Sequence, residues 1–239
     1  MRRILYLLKN YSFLRLLSLG LKEIYRVVVL NYFKNSFSQF GEDQVISNYF
    51  KDKQKTGFFV DIGAHDPVRL NNTYRLYKKG WRGINVDADP FFVDKLAKTR
   101  PLDQNLNMGI GDSNSKMTLY LFSAPALNTF SKESMKESIE AGHKVVGQKT
   151  IEIMNLNDFF DKHCANKSID LLSIDIEGLD LIALKSIDWK RYKPTIVCVE
   201  NKDFSGKMTQ DGEKINQLLV SVGYKELSQT SGNGIYLKR

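Results

Sequence analysis

Short apolar runs alternate with segments of helical spacing along the chain from about residue 37 onward. The apolar runs predict strands at 58–63, 84–89, 105–112, 171–178, 195–200 and 234–239, and a strand followed by a helix over 150–163. Helical periodicity marks the segments 44–50, 71–80, 90–99, 179–187 and 213–224. This alternation indicates an α/β domain with a mostly parallel sheet and helices on both faces.

Two segments between the third strand and residue 150 do not follow this alternation. The apolar run at 116–122 predicts a local β-hairpin or an extension of the sheet. Residues 123–149 are polar and irregular, which predicts a mobile loop or lid.

The first 36 residues have a different pattern, in which apolar and basic residues alternate at helical spacing with a break at Gly20. We therefore divide the chain into a basic amphipathic helical appendage at 1–36 and a Rossmann-like domain at 37–239. Residues 1–35 hold seven basic residues against one acid, Glu23, which is +6 of the formal net charge of +8. Such an appendage packs on its own domain, packs on a second subunit in a homodimer, or lies on an anionic membrane surface.

The sequence also sets expectations about localisation. No run reaches the roughly 18 to 20 apolar residues that a membrane span needs, and no small-residue cleavage site follows the N-terminus. Two distant cysteines, Cys164 and Cys198, share no metal-ligand spacing and fit a reducing compartment. We expect a cytoplasmic protein, peripheral to the inner face of the membrane if the appendage binds lipid.

The strongest chemical signal is a pair of strands that end in acids. Asp61 stops the strand at 58–63, and Gly63 follows it without a Cβ that would block a ligand. About twenty residues later, Asp87 ends the next strand, where an acid can accept hydrogen bonds from ribose hydroxyls. This spacing predicts a ligand that contains adenosine.

The glycine pattern argues against a dinucleotide. After Asp61 the chain reads I-G-A-H-D-P, which lacks the G-x-G-x-x-G pattern, and Pro67 stands where a phosphate-binding helix would begin. An acid in this turn would repel pyrophosphate but suits the cationic amino-acid end of S-adenosylmethionine. The contrast favours the methyl donor.

A second group of acids follows the strands at 171–178 and 195–200. Strand alternation predicts that Asp175 and Glu177 share one side of the strand end, where they could act as a general base or hold a hard metal ion. Glu200 ends the next strand. Helix capping is the alternative explanation for each acid. His65 follows the first turn and is a further candidate base.

At this point the motifs resemble those of the FkbM-type methyltransferases, a branch of the Rossmann-like class I enzymes that depend on S-adenosylmethionine. The matching segments are SQFGEDQVI, FFVDIGAHDP, NNTYRLYKKGWRGINVDADP, NLNMGIGD, LLSIDIEGLDLIALKSID and IVCVEN, in the family's order across roughly residues 37–201. The resemblance implies that the cofactor lies against five residues: Asp61, Gly63, Asp87, Asn107 and Asp112. Among these, Asp87 would hold the ribose, a position at which Glu is frequent in the family. It also implies that Asp175 and Glu177 lie near the transferred methyl group.

These observations together predict an S-adenosylmethionine-dependent O-methyltransferase that acts on a hydroxyl of a sugar, a glycan precursor or a related small metabolite. Asp175, assisted by Glu177 or His65, is the predicted base. A divalent metal ion at Asp175 is kept as a hypothesis and is not predicted. The net charge also suggests a nucleic-acid methyltransferase, but the core shows no basic stripe with interleaved aromatics, so we predict no nucleic-acid partner. A third alternative is an inactive cofactor-binding module at a membrane surface.

Overall fold

The computed structural model describes residues 36–176, 178–203 and 206–239. The predicted appendage at 1–36 lies outside the described residues apart from Ser36, and so does the candidate residue Glu177. The division into an appendage and a domain therefore stays a prediction.

The described residues form strands and helices that alternate along the chain. The strands are β1 (Phe58–Ile62), β2 (Arg82–Asp87), β3 (Gln104–Asn107), β4 (Gly109–Gly111), β5 (Ser115–Phe122), β6 (Val145–Asn155), β7 (Leu171–Ile174), β8 (Ile196–Glu200), β9 (Tyr224–Gln229) and β10 (Asn233–Lys238). The helices are α1 (Glu42–Phe50), α2 (Tyr74–Lys78), α3 (Pro90–Thr99), α4 (Lys132–Glu140), α5 (Leu156–His163), α6 (Asp180–Lys185) and α7 (Gln210–Ser221), with a 3₁₀ turn at Pro125–Leu127.

Seven strands form the main sheet in the order β3-β2-β1-β7-β8-β10-β9. The five strands from β3 to β8 are parallel, and β10 is antiparallel to both of its neighbours. The chain thus builds one half of the sheet outward from β1 and then returns to its other side at β7. A crevice at the carboxyl ends of the strands is expected at this change of direction.

Alternating side chains of the central strands fill a core on each face of the sheet. Val60 and Ile62 of β1 point into the larger core, where α5, α6 and α7 pack. Phe59 points to the opposite face, where Trp81 and the buried sides of α1 and α2 cover the sheet. The predicted α/β architecture with helices on both faces is confirmed.

The segment 105–112 does not form the single strand that its sequence predicts. β3 ends at Asn107 and, after Met108, β4 joins a separate three-stranded sheet in the order β4-β6-β5. Gly109 and Gly111 permit this step, because a Cβ on either glycine would lie within 3 Å of the Ile153 side chain. The chain therefore passes from one sheet to the other over a single residue.

Two further predictions about this region are wrong. β5 pairs antiparallel with β6 rather than with a near neighbour in sequence. Residues 123–149 are not an irregular loop, since they contain the 3₁₀ turn, α4 and the start of β6. The α4 helix contributes no buried side chain, so its sequence carries no apolar stripe that would mark it as a helix.

The other departures lie toward the C-terminus. β7 ends at Ile174 rather than at residue 178, and β9 was not predicted at all. Among the described residues, no helix is long and apolar enough to cross a membrane.

Candidate active site

The carboxyl edge of the main sheet gathers the strand-end acids. Asp61 lies near the end of β1, Asp87 ends β2, Asp175 follows β7 and Glu200 ends β8. These four strands are adjacent and parallel, so their carboxyl ends meet at one edge. Ligands of open α/β sheets bind outside this edge, which makes it the candidate active site.

Gly63 joins the turn after β1 to the turn after β7. Its φ is +77°, and a Cβ at this position would lie 1.8 Å from the carbonyl oxygen of Asp175. The Asp175 amide donates to the Ile62 carbonyl oxygen at 3.0 Å, which holds the two turns together. The sequence predicts a glycine that makes room for a ligand, whereas in the structure the group that needs the space is the backbone of Asp175.

The Asp87 carboxylate ties two loops of the edge together. One oxygen accepts the backbone amide of Asp89 and the other accepts that of His65, both at 2.8 Å. Burial raises the pKa of Asp87 to about 6, and these two hydrogen bonds oppose that rise. Each carboxylate oxygen has a second acceptor position. Asp87 can therefore accept a hydrogen bond from a ligand hydroxyl while it holds the loops.

Asn107 lies beside Asp87. Its side-chain amide donates to the carbonyl oxygens of Asp87 and Ala88 at 3.1 and 2.9 Å. Its own oxygen accepts Lys149 Nζ of β6 at 2.9 Å, so Asn107 links the small sheet to the candidate site. Asp112 is exposed, and its carboxylate accepts the hydroxyl of Ser113 next to it, a contact that does not connect it to the other candidates.

His65 sits on the β2 side of the edge. Its φ is +49°, and its ring packs on Phe92 with 3.7 Å between the ring centroids. Desolvation by this packing lowers the pKa of His65, although Asp66 and Asp89 act in the opposite direction. The imidazole is therefore neutral at neutral pH, and its contacts bring it to Asp87 rather than to Asp175.

Asp61 is buried beneath the edge and faces protein groups. Its Oδ2 accepts the Thr73 hydroxyl at 2.7 Å and lies 3.5 Å from Asn71 Nδ2. Burial raises the pKa of Asp61, and the nearby Arg100 guanidinium opposes this rise. These contacts anchor the start of α2 to β1.

Arg100 completes a buried network that sequence reasoning missed. The Arg100 side chain is fully buried, donates from Nε to Asp103 at 2.8 Å, and donates from Nη1 to Thr73 and Asn71 at 3.0 and 3.2 Å. Asp103 in turn accepts the Gly83 amide of β2. The segment T-R-P-L-D has the composition of an exposed turn, so its sequence gives no signal that a guanidinium lies in the core.

Asn72 reaches the neighbouring strands of the same edge. Its side-chain amide donates to Ser173 Oγ at 3.2 Å and lies 3.8 Å from Cys198 Sγ.

Asn128 links the small sheet to the loop after β2. Its side-chain amide donates to Asp89 Oδ2 at 2.7 Å, and its side-chain oxygen accepts the Phe122 amide.

The loop after β7 carries the predicted base. Because β7 ends at Ile174, strand alternation does not extend to Asp175, and the argument that placed it on one side with Glu177 does not hold. The loop is instead shaped by Asp180, a buried acid that sequence reasoning missed. Its two carboxylate oxygens accept the amides of Ile176 and Gly178 at 3.3 and 3.2 Å.

A cavity of about 340 Å³ opens beside this loop, between the end of β8 and the starts of α6 and α7. Polar side chains that line it include Asp180, Glu200, Asn201, Thr209 and Gln210, and Leu181 and Ile215 supply an apolar part of its wall. Its volume is at the lower end of the roughly 300–1,000 Å³ of small-molecule sites. Within the described ranges, no group of three or more His, Cys, Asp or Glu side chains is arranged to hold a metal ion.

The motif SQFGED docks the start of the described chain on this edge. Glu42 is fully buried and accepts the Thr230 hydroxyl at 2.6 Å and the Asn233 side-chain amide at 2.9 Å. Asp43, also fully buried, accepts the hydroxyl of Ser36 at 2.6 Å and Arg75 Nε at 2.8 Å. Both acids therefore form specific buried hydrogen bonds in the first turn of α1.

The sheet order, with its one antiparallel strand and acids at the carboxyl edge, defines a Rossmann-like class I methyltransferase that depends on S-adenosylmethionine. More particularly, the chain belongs to the FkbM methyltransferase family, since the family's profile, described as Methyltransferase FkbM domain, matches residues 61–226. The resemblance drawn from the motifs is thereby confirmed.

Several solved structures of low sequence identity are similar to the chain. A TehB-like SAM-dependent methyltransferase from Corynebacterium glutamicum is 12% identical with a TM-score of 0.45, over 94% of this chain and 100% of that one. A putative caffeoyl-CoA O-methyltransferase from Staphylococcus aureus is 11% identical with a TM-score of 0.48, over 100% and 98% of the two chains. An O-methyltransferase from Bacillus cereus in complex with SAH is 11% identical with a TM-score of 0.42, over 92% and 90%. No curated protein sequence matches the chain.

Proposed function

We propose that the protein transfers the methyl group of S-adenosylmethionine to a hydroxyl oxygen of a sugar, a glycan precursor or a related small metabolite. The observation that carries the proposal is the cavity beside the loop after β7, with the polar side chains that line it. Its carboxylates, amides and hydroxyl suit an acceptor with several hydroxyl groups, because each can exchange hydrogen bonds with them.

The cofactor end of the edge fits a cationic ligand that carries hydroxyl groups. Asp87 is half-buried and keeps free acceptor positions beside its two backbone hydrogen bonds. His65 is neutral and adds no positive charge that would repel a sulfonium. We assign Asp87 to the ribose, with the Gly63 turn and Asn107 as supports. Asp61 holds the turn from beneath, and Asp112 is kept as a weaker candidate. When bound, the cofactor supplies the electrophilic methyl group.

Asp175 is the proposed base that takes the proton from the acceptor hydroxyl. Its amide is fixed to β1, so the residue lies where the Gly63 turn and the cavity-lining loop meet. Asp180 holds the rest of that loop in place through two backbone amides. A positioned general base contributes on the order of 10²–10⁴-fold to such a step. Glu177 is the proposed assistant of Asp175, whereas His65, whose contacts bring it to Asp87, is kept as a weaker candidate.

The proposal is tested with the full chain, methyl-labelled cofactor and a panel of sugars, nucleotide sugars and polyols, with an RNA and a protein as alternative acceptors. We expect label in a hydroxylated acceptor as an ether that survives mild base. Asp175→Asn should reduce kcat by about 10²-fold or more while the cofactor Kd is retained. Label found only in RNA or protein, or in a base-labile ester, would refute the assignment.

A matched pair on α7 tests the cavity as the acceptor site. Gln210 lines the cavity at the start of the helix, whereas Gln217 is exposed on the same helix and does not line it. We expect Gln210→Ala to raise the KM for the acceptor severalfold and Gln217→Ala to leave it unchanged. Equal effects of the two variants would remove the cavity from the proposal.

A further inference from the structure

Five segments at the carboxyl edge of the main sheet each expose a large apolar side chain. We name these side chains the apolar rim, and each is 37 to 48% exposed: Phe40, Leu70, Phe91, Leu179 and Met208. Large apolar side chains that project from neighbouring loops mark a surface that meets an apolar partner. The other large apolar side chains that are exposed are spread over the small sheet, three helices, β9 and the loop before β3.

Chain connectivity puts all five segments at the edge that carries the candidate active site. Leu70 and Leu179 lie in the loops after β1 and β7, Phe91 begins the helix after β2, and Met208 precedes the helix after β8. Phe40 contacts the turn between β9 and β10, where a Cβ on Gly232 would lie 2.9 Å from its ring. The apolar rim therefore lies along the same edge as the candidate active site.

Leu70 of the apolar rim has a left-handed backbone. Its φ is +57°, in the region where Gly or Asn is favoured over a branched side chain. The side chain is also 39% exposed, so its own burial does not account for a leucine at this position. A residue that is both strained and exposed supports a contact outside the domain.

The N-terminal residues join the domain at this same edge. Ser36 is held by Asp43, and the carbonyl oxygen of Phe37 accepts the amide of Asn71, next to Leu70, at 3.0 Å. The preceding segment, 1–35, carries +6 of the formal +8 charge. A strongly basic segment thus leaves the chain beside the apolar rim.

We propose that the carboxyl edge docks on an anionic lipid surface, with the apolar rim inserted among the lipids and residues 1–35 supplying the positive charge. An anionic membrane matches both features, because basic side chains are attracted to its surface and apolar ones enter its interface. If the proposed function holds, docking delivers the site to an acceptor hydroxyl borne by a lipid-anchored molecule.

Vesicle sedimentation of the full chain tests the docking without cofactor or acceptor, so its outcome is independent of methyl transfer. We expect binding to phosphatidylcholine vesicles that contain phosphatidylglycerol, and at least tenfold weaker binding to phosphatidylcholine alone. The variant Lys22→Gln/Arg26→Gln/Lys34→Gln should lose at least tenfold in affinity, since each basic residue near the surface contributes about a few-fold.

A matched pair of triple variants tests the apolar rim. Leu70→Asn/Phe91→Ser/Met208→Ser removes apolar groups from the edge, and Leu102→Ser/Val220→Ser/Leu227→Ser removes comparably exposed groups elsewhere. We expect at least tenfold weaker vesicle binding for the first variant and no change for the second. Equal binding by both variants would overturn the proposal. The proposal would also be overturned if the full chain did not bind vesicles but formed a dimer, and if the rim variant abolished that dimer.

A site-specific probe reports the orientation directly. Both native cysteines, Cys164 and Cys198, are buried, so a polarity-sensitive thiol dye will label an introduced cysteine. Anionic vesicles should shift the emission of dye on Phe91→Cys to the blue and leave dye on Leu102→Cys unchanged. The reverse pattern would show that the opposite edge faces the lipid and would refute the proposed orientation.

Discussion

The carbonyl oxygen of Asp175 occupies the space that a side chain on Gly63 would need, at 1.8 Å from the ideal Cβ position. The turn after β1, which we propose contacts the cofactor, and the loop after β7, which carries the proposed base, are thereby in direct contact. Any change that separates them alters both halves of the candidate site.

We expect Gly63→Ala to abolish cofactor binding and to lower the free energy of unfolding by several kcal/mol. The reason is that backbone of Asp175, rather than a flexible side chain, must move. Gly223→Ala is the matched control, because Gly223 has a φ of +96° but open space around its Cβ position. The control should show only the left-handed strain of roughly 1–2 kcal/mol. Urea unfolding and cofactor titration give both values, and equal losses in the two variants would contradict the steric argument.

The affinity for the cofactor should depend on the ionisation of Asp87. Burial raises the pKa of this carboxyl to about 6, and only the ionised form leaves every acceptor position available to the ribose. Affinity should therefore be full above pH 6 and decrease about tenfold per pH unit below it.

Two variants separate this effect from the titration of His65. Calorimetric titration between pH 5 and 8 should show a flat, weaker profile for Asp87→Asn. His65→Gln should keep the wild-type dependence, although His65 also titrates below its ordinary pKa because of desolvation. If the affinity of His65→Gln did not change with pH, the pH dependence would be due to His65 and not to Asp87.

Arg100→Met should destabilise the domain by about 3–5 kcal/mol, because it leaves Asp61 and Asp103 buried without their cation. Arg191→Met is the control, since Arg191 pairs with Asp161 at the surface and such pairs contribute about 0–1 kcal/mol. The loss should shrink as the pH falls and the buried carboxyls become protonated. Urea unfolding at several pH values measures it, and a pH-independent loss would point to packing instead of charge.

Asp180→Ala should cost about 1–3 kcal/mol of unfolding free energy, because two backbone amides of the loop after β7 lose their acceptors. It should also lower kcat, since that loop carries Asp175. Asp211→Ala is a control that lines the same cavity but pairs with Lys214 at the surface. If both variants retain wild-type stability, Asp180 does not organise the loop.

The central strands β2, β1, β7 and β8 could be predicted because each is a mostly apolar, buried run. β9 of the same sheet was missed because its sequence, YKELSQ, is mostly polar. The sequence was also insufficient where pairing is distant, since β5 and β6 are separated by a polar segment whose helix buries nothing. The run at 105–112 gave no sign that the chain changes sheets at Met108.

Two residues that the sequence singled out, Asp87 and Asn107, lie together in the structure, and their contact with the cofactor stays a prediction. Arg100 and Glu42 could not be found, because a buried charge is identified by partners that are remote in sequence. Glu42, for example, bonds Thr230 and Asn233, 188 and 191 residues away.

After β5, the Ser123 amide donates to the Lys144 carbonyl oxygen at 3.1 Å and so joins the two ends of the segment that contains α4. Within this segment, the α4 helix contributes no buried side chain. The α4 helix itself can thus be exchanged or resized without opening the core. Such a change must spare Asn128 and Phe130, which hold the start of the segment. The linkage from Lys149 through Asn107 to Asp87 then stays intact.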